Sequence, residues 1–230
     1  MKKLIILSVF VGVLCVCTSS AMADIISFVT PLNNVDDTTG WSTNDDLAVL
    51  NDSYSLLGGN ATVTGYVNGS DEQVNLSHRG TRGLGVYGGE LDEIDSSEEK
   101  RVESIQISFN QSYFVNSVEV RSLFDIDTDE NVEYAAVGFY LEGTLLDTVY
   151  LEGNMDLGDG KGASVWSGQY EVDKIVFYVP TQGELDLDYD YFLSEFAVAK
   201  LNVSTVPVPG ALLLGLLGMG ATGMKLRKYA

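Results

Sequence analysis

Histidine, cysteine and basic residues are scarce: the 230 residues hold one His, two Cys and four Pro, and 13 Lys and Arg stand against 33 Asp and Glu. So few soft ligands exclude a zinc, copper or iron–sulfur centre built by this chain. The shortage of bases leaves a net charge of −20, which repels a phosphate backbone and rules out nucleic acid as a partner. Anionic lipid surfaces are disfavoured for the same reason. A serine hydrolase would need a His base beside its nucleophile. The lone His78 stands in a Gly/Arg-rich stretch with no G-x-S-x-G elbow, and it reads as a surface or turn histidine. A glycosidase needs only two carboxylates, and 33 acids neither single out such a pair nor forbid one.

What is present in excess is apolar sequence at both ends, which lifts the mean hydropathy to +0.10 despite the charge. Lys2 and Lys3 precede the run Leu4 to Val16, and Thr18, Ser19 and Ser20 lead to Ala21-Met22-Ala23. A charged region, an apolar core and an A-x-A site form a secretory signal peptide, with export through the Sec translocon and cleavage between Ala23 and Asp24 expected. The run is shorter than the ~20 residues that cross a hydrocarbon core. Cys15 and Cys17 leave with the peptide, so the exported chain is expected to have no disulfide and no thiol chemistry.

At the other end, Val206 to Met224 carries no charge and is followed by Lys225, Arg227 and Lys228. A helix rising ~1.5 Å per residue takes this run to about 28 Å, enough for a thin bilayer. Pro207 and Pro209 sit at its entrance, where a missing N–H costs little. The basic cluster then holds the end in the cytoplasm and leaves residues 24 to 205 outside it.

The tail Val206-Pro207-Val208-Pro209-Gly210-Ala211, its Leu/Gly-rich run and the closing Lys225, Arg227 and Lys228 resemble the PEP-CTERM sorting signal of Gram-negative bacteria, in its VPxPGA variant. That tail family is also labelled the ice-binding protein C-terminal domain. The resemblance implies recognition by an exosortase in the inner membrane, then release or transfer to the cell surface and association with exopolysaccharide or biofilm material. Val208 departs from the family motif, where Glu is commonest. An ordinary single-pass anchor at 206 to 230 is the alternative.

Three segments follow: a signal peptide at 1 to 23, an ectodomain at 24 to 205 and the sorting tail at 206 to 230. The ectodomain carries all 33 acids and eight of the bases, a net charge of −25. Its length suits one domain with a sizeable core. Its periodicity is mostly two. Ile105, Ile107 and Phe109 alternate with polar residues in 101 to 109, and Val118 and Val120 alternate with Glu119 and Arg121 in 117 to 123. Strands at 134 to 141 and 144 to 151 are joined by a Glu142-Gly143 turn. Others are expected at 24 to 30, 47 to 50, 60 to 67, 73 to 77, 163 to 166, 172 to 179 and 190 to 201, with an irregular stretch between Ser77 and Arg101. Short strands with Gly, Asn and Asp between them predict an all-β protein, an antiparallel β-sandwich of jelly-roll type. At the level of fold this resembles the ectodomains often joined to such tails.

Three acidic segments are candidate calcium sites, because calcium takes six to eight oxygens and is abundant outside cells. Asp125, Asp127 and Asp129 alternate like the start of an EF-hand loop, but Glu130 replaces the required Gly and Ala136 the closing Glu. Asn154, Asp156 and Asp159 lie in a Gly-rich turn. Asp186, Asp188 and Asp190 share one face if that piece is extended. The competing reading for all three is a solvated acidic edge that blocks sheet-to-sheet pairing.

Sugar binding would use exposed aromatic faces with polar neighbours, for which Trp41, Tyr87, Trp166 and Tyr189 are candidates. An ice-binding array would need repeated Thr, and only Thr62-Val63-Thr64 offers a pair. The expectation is an exported, non-enzymatic surface or matrix protein. The alternatives are a calcium-dependent carbohydrate-binding module and, third, a glycan-active hydrolase. A sorted chain loses Lys225 to Ala230, so the intact mass of protein isolated from its host is expected to lack them. A mass retaining Tyr229 and Ala230 identifies a plain anchor instead.

Overall fold

Alternation within the longest apolar segments sets the architecture. The computed structural model describes residues 23–44, 46–67, 72–88, 93–95, 102–123, 132–154, 162–185 and 194–206. Ala23–Ser204 belongs to one compact unit. Its strands are β1 Ala23–Ser27, β2 Ala48–Val49, β3 Ser53–Leu56, β4 Ala61–Val67, β5 Gln73–Val74, β6 Leu76–Arg79, β7 Gly83–Val86 and β8 Ile94–Asp95. After them come β9 Glu103–Arg121, β10 Tyr134–Leu141, β11 Thr144–Glu152, β12 Ala163–Tyr178, the single helical turn α1 Gln182–Leu185 and β13 Glu195–Thr205. Among the described residues no helix is long and apolar enough to cross a membrane.

Two strands are far longer than their periodicity suggests. The segments 101 to 109 and 117 to 123 are parts of one 19-residue strand, because Tyr113 and Val115 resume the buried face after exposed Asn110 and Gln111. The segments 163 to 166 and 172 to 179 likewise merge into 16-residue β12. The two pair antiparallel from Ser104–Tyr178 to Arg121–Ala163, with register shifts between Ser167 and Tyr170 and between Val172 and Lys174. Bulges bend and twist a strand, and strands that bend in this way form the corners where one sheet passes into another.

The neighbours change across that bend. Residues 103–109 of β9 pair with β4, which pairs with β3 and β5. Residues 174–178 of β12 pair with β10 and thence β11. This makes one layer, β3-β4-β9-β12-β10-β11. The C-terminal half of β9 lies beside β13, where Asn116 Nδ2 donates to Ser204 Oγ (3.2 Å). β13 carries β1, β7 and β8, and β7 leads to β6 and β2. This second layer packs on the first as an antiparallel β-sandwich. Val63, Ile105, Ile107, Val137, Phe139, Ile175 and Phe177 come from one layer and Leu76, Leu84, Val86, Val118, Val120, Val198 and Val203 from the other, all buried in one core.

The stretch from 77 to 101 differs from the expectation: β7 and β8 lie in it, and GLGV is fully buried. Its glycines disguise a strand that must approach β13 closely. Gly83 has φ +128°, and a Cβ there would overlap the Val198 carbonyl oxygen. β3 lies outside the expected strands because SYSL is too short and polar to stand out. The Glu142-Gly143 hairpin is as expected, with φ of 51° and 76° at the two turn residues, the pattern of a type I′ turn. Gly83→Ala is expected to destabilise the fold by roughly 2–4 kcal/mol through strain and overlap. Gly58→Ala, at φ +64° with nothing within 4 Å, costs only ~1 kcal/mol. Urea unfolding of both variants checks the difference.

Candidate functional site

Most acidic candidates fall outside the described residues: Asp125, Asp127, Asp129, Asp156, Asp159, Asp186, Asp188 and Asp190, and with them Ala21, Tyr189 and the tail beyond Val206. Asn154 is exposed and bridges Ala163, exchanging backbone hydrogen bonds of 3.1 and 3.0 Å. Ala23 and Asp24 open β1 opposite Ser204 and Val203. Among the described residues no group of three or more His, Cys, Asp or Glu is placed to hold a metal.

His78 is a core residue, contrary to its surface or turn reading. It is 0% exposed in β6, with the Trp41 ring edge-on at 4.6 Å. Its Nδ1 accepts the Ser42 N–H at 3.1 Å, which leaves the proton on Nε2 to be donated to the Phe28 carbonyl. Both nitrogens are therefore engaged in the neutral ring, and Nδ1 facing a donor has no room for a second proton. Burial lowers its pKa, opposed by the Phe28 hydrogen bond. Trp41 is buried as well, against Phe28, Tyr54 and His78. Trp166 and Tyr170 stack at 5.5 Å and 12° and close on Phe139 at the margin of the core, with the Tyr170 hydroxyl donating to Asp147. Of the aromatic candidates read from the sequence, Tyr87 alone among the described residues is well exposed, at 41%.

The few bases are spent on internal pairing. Arg82 Nη1 donates to Glu93 Oε1 at 2.8 Å, and the Glu93 side chain is 2% exposed. Burial pushes this carboxyl up, against the pull of Arg82. Glu119 accepts from Arg121 Nε (2.8 Å) and Lys200 Nζ (2.9 Å); burial would raise its pKa, but the two cations together hold it below the ordinary range.

Reading the strand registers across the outer face of the first layer brings together residues that lie far apart in the chain. One row runs Tyr150, Ala136, Tyr178, Ser104, Tyr66 over β11, β10, β12, β9 and β4. The next runs Thr148, Gly138, Val176, Gln106, Thr64, and the third Leu145, Tyr140, Lys174, Ser108, Thr62. None of these fifteen positions is acidic, in a domain with 33 acids. Tyr150 is 39% exposed, and Tyr66, Tyr140 and Tyr178 are half-buried. Gln106 Nε2 donates to Ser108 Oγ (2.8 Å), and the Lys174 ammonium lies 4.3 Å from the Tyr140 ring centre.

One edge of the face is anchored by α1. Thr181 and Glu184 form half a capping box, Glu184 Oε2 accepting the Thr181 N–H at 2.7 Å. Glu184 Oε1 accepts from the Tyr178 hydroxyl at 3.0 Å. Burial and then this carboxylate push Tyr178 far above the usual phenol range, so its O–H is a fixed donor rather than an acid. The same carboxylate also acts on Tyr150, so one charged group borders the face. Half-buried tyrosines beside amide and hydroxyl groups suit a neutral polyhydroxylated ligand. The sequence reading did not single out these tyrosines. Alternation in 134 to 141 places Ala136, Gly138 and Tyr140 on one face, but which strands flank them is set by register.

No family model matches the chain, and no curated protein matches it. Among solved structures it is similar to CpGH89CBM32-5 from Clostridium perfringens, in complex with GalNAc-beta-1,3-galactose, at 17% identity over 63% of this chain and 95% of that one, TM-score 0.32. A Ruminococcus gnavus GH29 fucosidase in complex with fucose matches at 11% identity over 65% of this chain and 25% of that one, TM-score 0.30. A GH31 CBM32-2 bound to GalNAc matches at 12% over 78% and 99%, TM-score 0.25. The sandwich assignment rests on this chain's own strand pairing.

The His78 environment sets a pH dependence. Its folded pKa lies below the 6.5 of a free imidazole, so between the two values the unfolded chain binds more protons and stability rises with pH. The contribution is complete above about pH 6.5 and is lost as pH falls toward the folded pKa. The melting temperature is expected to drop by a few degrees between about pH 7.5 and 5.5, a drop that His78→Gln removes. A wild-type curve flat over that window contradicts the buried neutral ring.

Proposed function

We propose that this chain is a non-catalytic carbohydrate-binding β-sandwich of the bacterial envelope or extracellular matrix. Its ligand is a neutral polysaccharide lying on the outer face of β11-β10-β12-β9-β4. The observation that carries the reading is the make-up of these three rows, four tyrosines among Thr, Ser and Gln side chains with no acidic residue in the rows and Glu184 at one edge, in a domain of charge −25. Acids elsewhere keep the molecule soluble and apart from its copies, and their absence from these rows leaves room for stacking against sugar rings. A buried His78 with both nitrogens engaged does not supply the free base that a serine hydrolase needs. The signal peptide and the exosortase-type tail support delivery to the surface, where exopolysaccharide is the available glycan. Calcium, held by the acidic segments named above, is a proposed structural ligand of the same domain.

Affinity electrophoresis through gels containing neutral polysaccharides tests the reading. The protein is expected to be retarded, and Tyr66→Ala combined with Tyr150→Ala is expected to weaken retention by about 10-fold or more, because each ring supplies stacking and buried area. Retention surviving chelator shows that the glycan site needs no calcium, and its loss shows that the ion is part of the site. Free migration through every neutral glycan refutes the function.

A further inference from the structure

The first row of the face alternates large and small: Tyr150, Ala136, Tyr178, Ser104, Tyr66. Neighbouring strands lie about 4.8 Å apart, so successive tyrosines two strands apart are about 9.6 Å apart and the three span about 19 Å across the sheet. That interval is close to the disaccharide repeat of an extended β-1,4-linked hexose chain and does not suit the coiled path of an α-1,4-linked one. Ala136 and Ser104 between the rings are themselves buried, so the tyrosines form the outer surface of the row, and Gln106 and Thr148 in the adjacent row supply hydrogen-bonding groups beside it.

From this spacing we infer that the ligand is an extended, neutral β-1,4-linked polysaccharide that runs across the strands. Every second sugar stacks on a tyrosine, first Tyr150, then Tyr178, then Tyr66. The inference rests on the reading of this face as the glycan site and adds linkage, direction and length to it. Three contacts require a chain of about five units. Sheet twist turns each strand by about 20–25° from the last, so the chain rotates by about 45° between contacts. A single soluble chain can follow that rotation, whereas the flat face of a crystalline polymer cannot. Uronic or sulfated chains are repelled by the surrounding −25 charge.

Titration calorimetry of the purified protein with β-1,4-linked gluco- and manno-oligosaccharides of two to six units, and with α-1,4-linked gluco-oligosaccharides of the same lengths, tests it. Affinity is expected to rise in two-unit steps of roughly 3- to 10-fold as each further ring is reached, with α-linked chains bound weakly or not at all. Tyr66→Ala is expected to remove the last step, so that affinity stops rising at the length that reaches two rings. Tyr66→Phe, which keeps the ring, retains the step, and an unchanged thermal melt for both variants shows that they are folded. A β-linked series whose affinity is flat beyond the disaccharide, or equal binding of α- and β-linked chains, overturns the inference while leaving a glycan site in place. Absence of binding by every oligosaccharide here, together with free migration in the neutral-polysaccharide gels, removes both.

Discussion

The antiparallel ladder between β9 and β12 carries the rest of the structure, because both layers of the sandwich are hung on it. One half of this pair continues through β4 on one side and β10 and β11 on the other; the other half continues into β13 and the strands that β13 holds. The bulges between Ser167 and Lys174 let the same two strands turn from one layer into the next. At that corner Trp166, Tyr170 and Phe139 stack, filling the opening that a bend leaves at the end of the core. Gly168 is part of the same arrangement, since a Cβ there would overlap the Trp166 indole. The ladder also fixes which residues of β12 face outward beside β10, and so which side chains meet on the tyrosine face.

Charge is distributed with the same economy. The −25 domain has eight bases, and four of them are gathered near one another in the second layer. Arg82 pairs with buried Glu93, Arg79 lies close enough to act on the same carboxyl, and Arg121 and Lys200 share Glu119. Truncating one partner of the Arg82–Glu93 pair would leave a buried charge without its counter-ion, which is costly in a way that losing an exposed pair is not. Lys174 is used on the outer face, over the Tyr140 ring. Concentrating cations in these roles leaves the remaining surface strongly acidic, against which a face with no carboxylate in its rows is a local exception. Long-range repulsion then disfavours anionic partners.

Much of the class of fold was legible in the chain. Period-two alternation at 101 to 109, 117 to 123 and 134 to 151, with Glu142-Gly143 between strands, declares half-buried antiparallel sheet, since a strand with one wet face must alternate. Local pattern could not show that two predicted strands were one: Asn110 and Gln111 read as a break, and the ladder with β12 does skip them, passing from Tyr113 to Ser108, yet β9 continues as one strand and pairs with β12 on both sides of the gap. Nor could it place GLGV in a sheet, because the glycines that mark a loop by composition are here the consequence of a close approach to Val198. The burial of His78 is hidden from local pattern for a related reason. Beside Arg79, Gly80 and Arg82 it looks exposed, but β6 lies inside β2 and β7, and a neutral ring with two backbone partners can be buried without penalty.

By itself the sequence determined the all-β class, the shortage of soft ligands and bases, and the strongly negative charge of residues 24 to 205. These depend only on which residues are present and on their spacing along one strand. The tyrosine face was decided by tertiary structure alone. Tyr66, Tyr150 and Tyr178 sit on three strands separated by up to 112 residues of chain, and their alignment depends on the register of β4, β9, β12, β10 and β11. A shift of one residue in any of those ladders turns every side chain of that strand to the opposite side, and register is settled by packing between layers, which no local stretch of sequence contains.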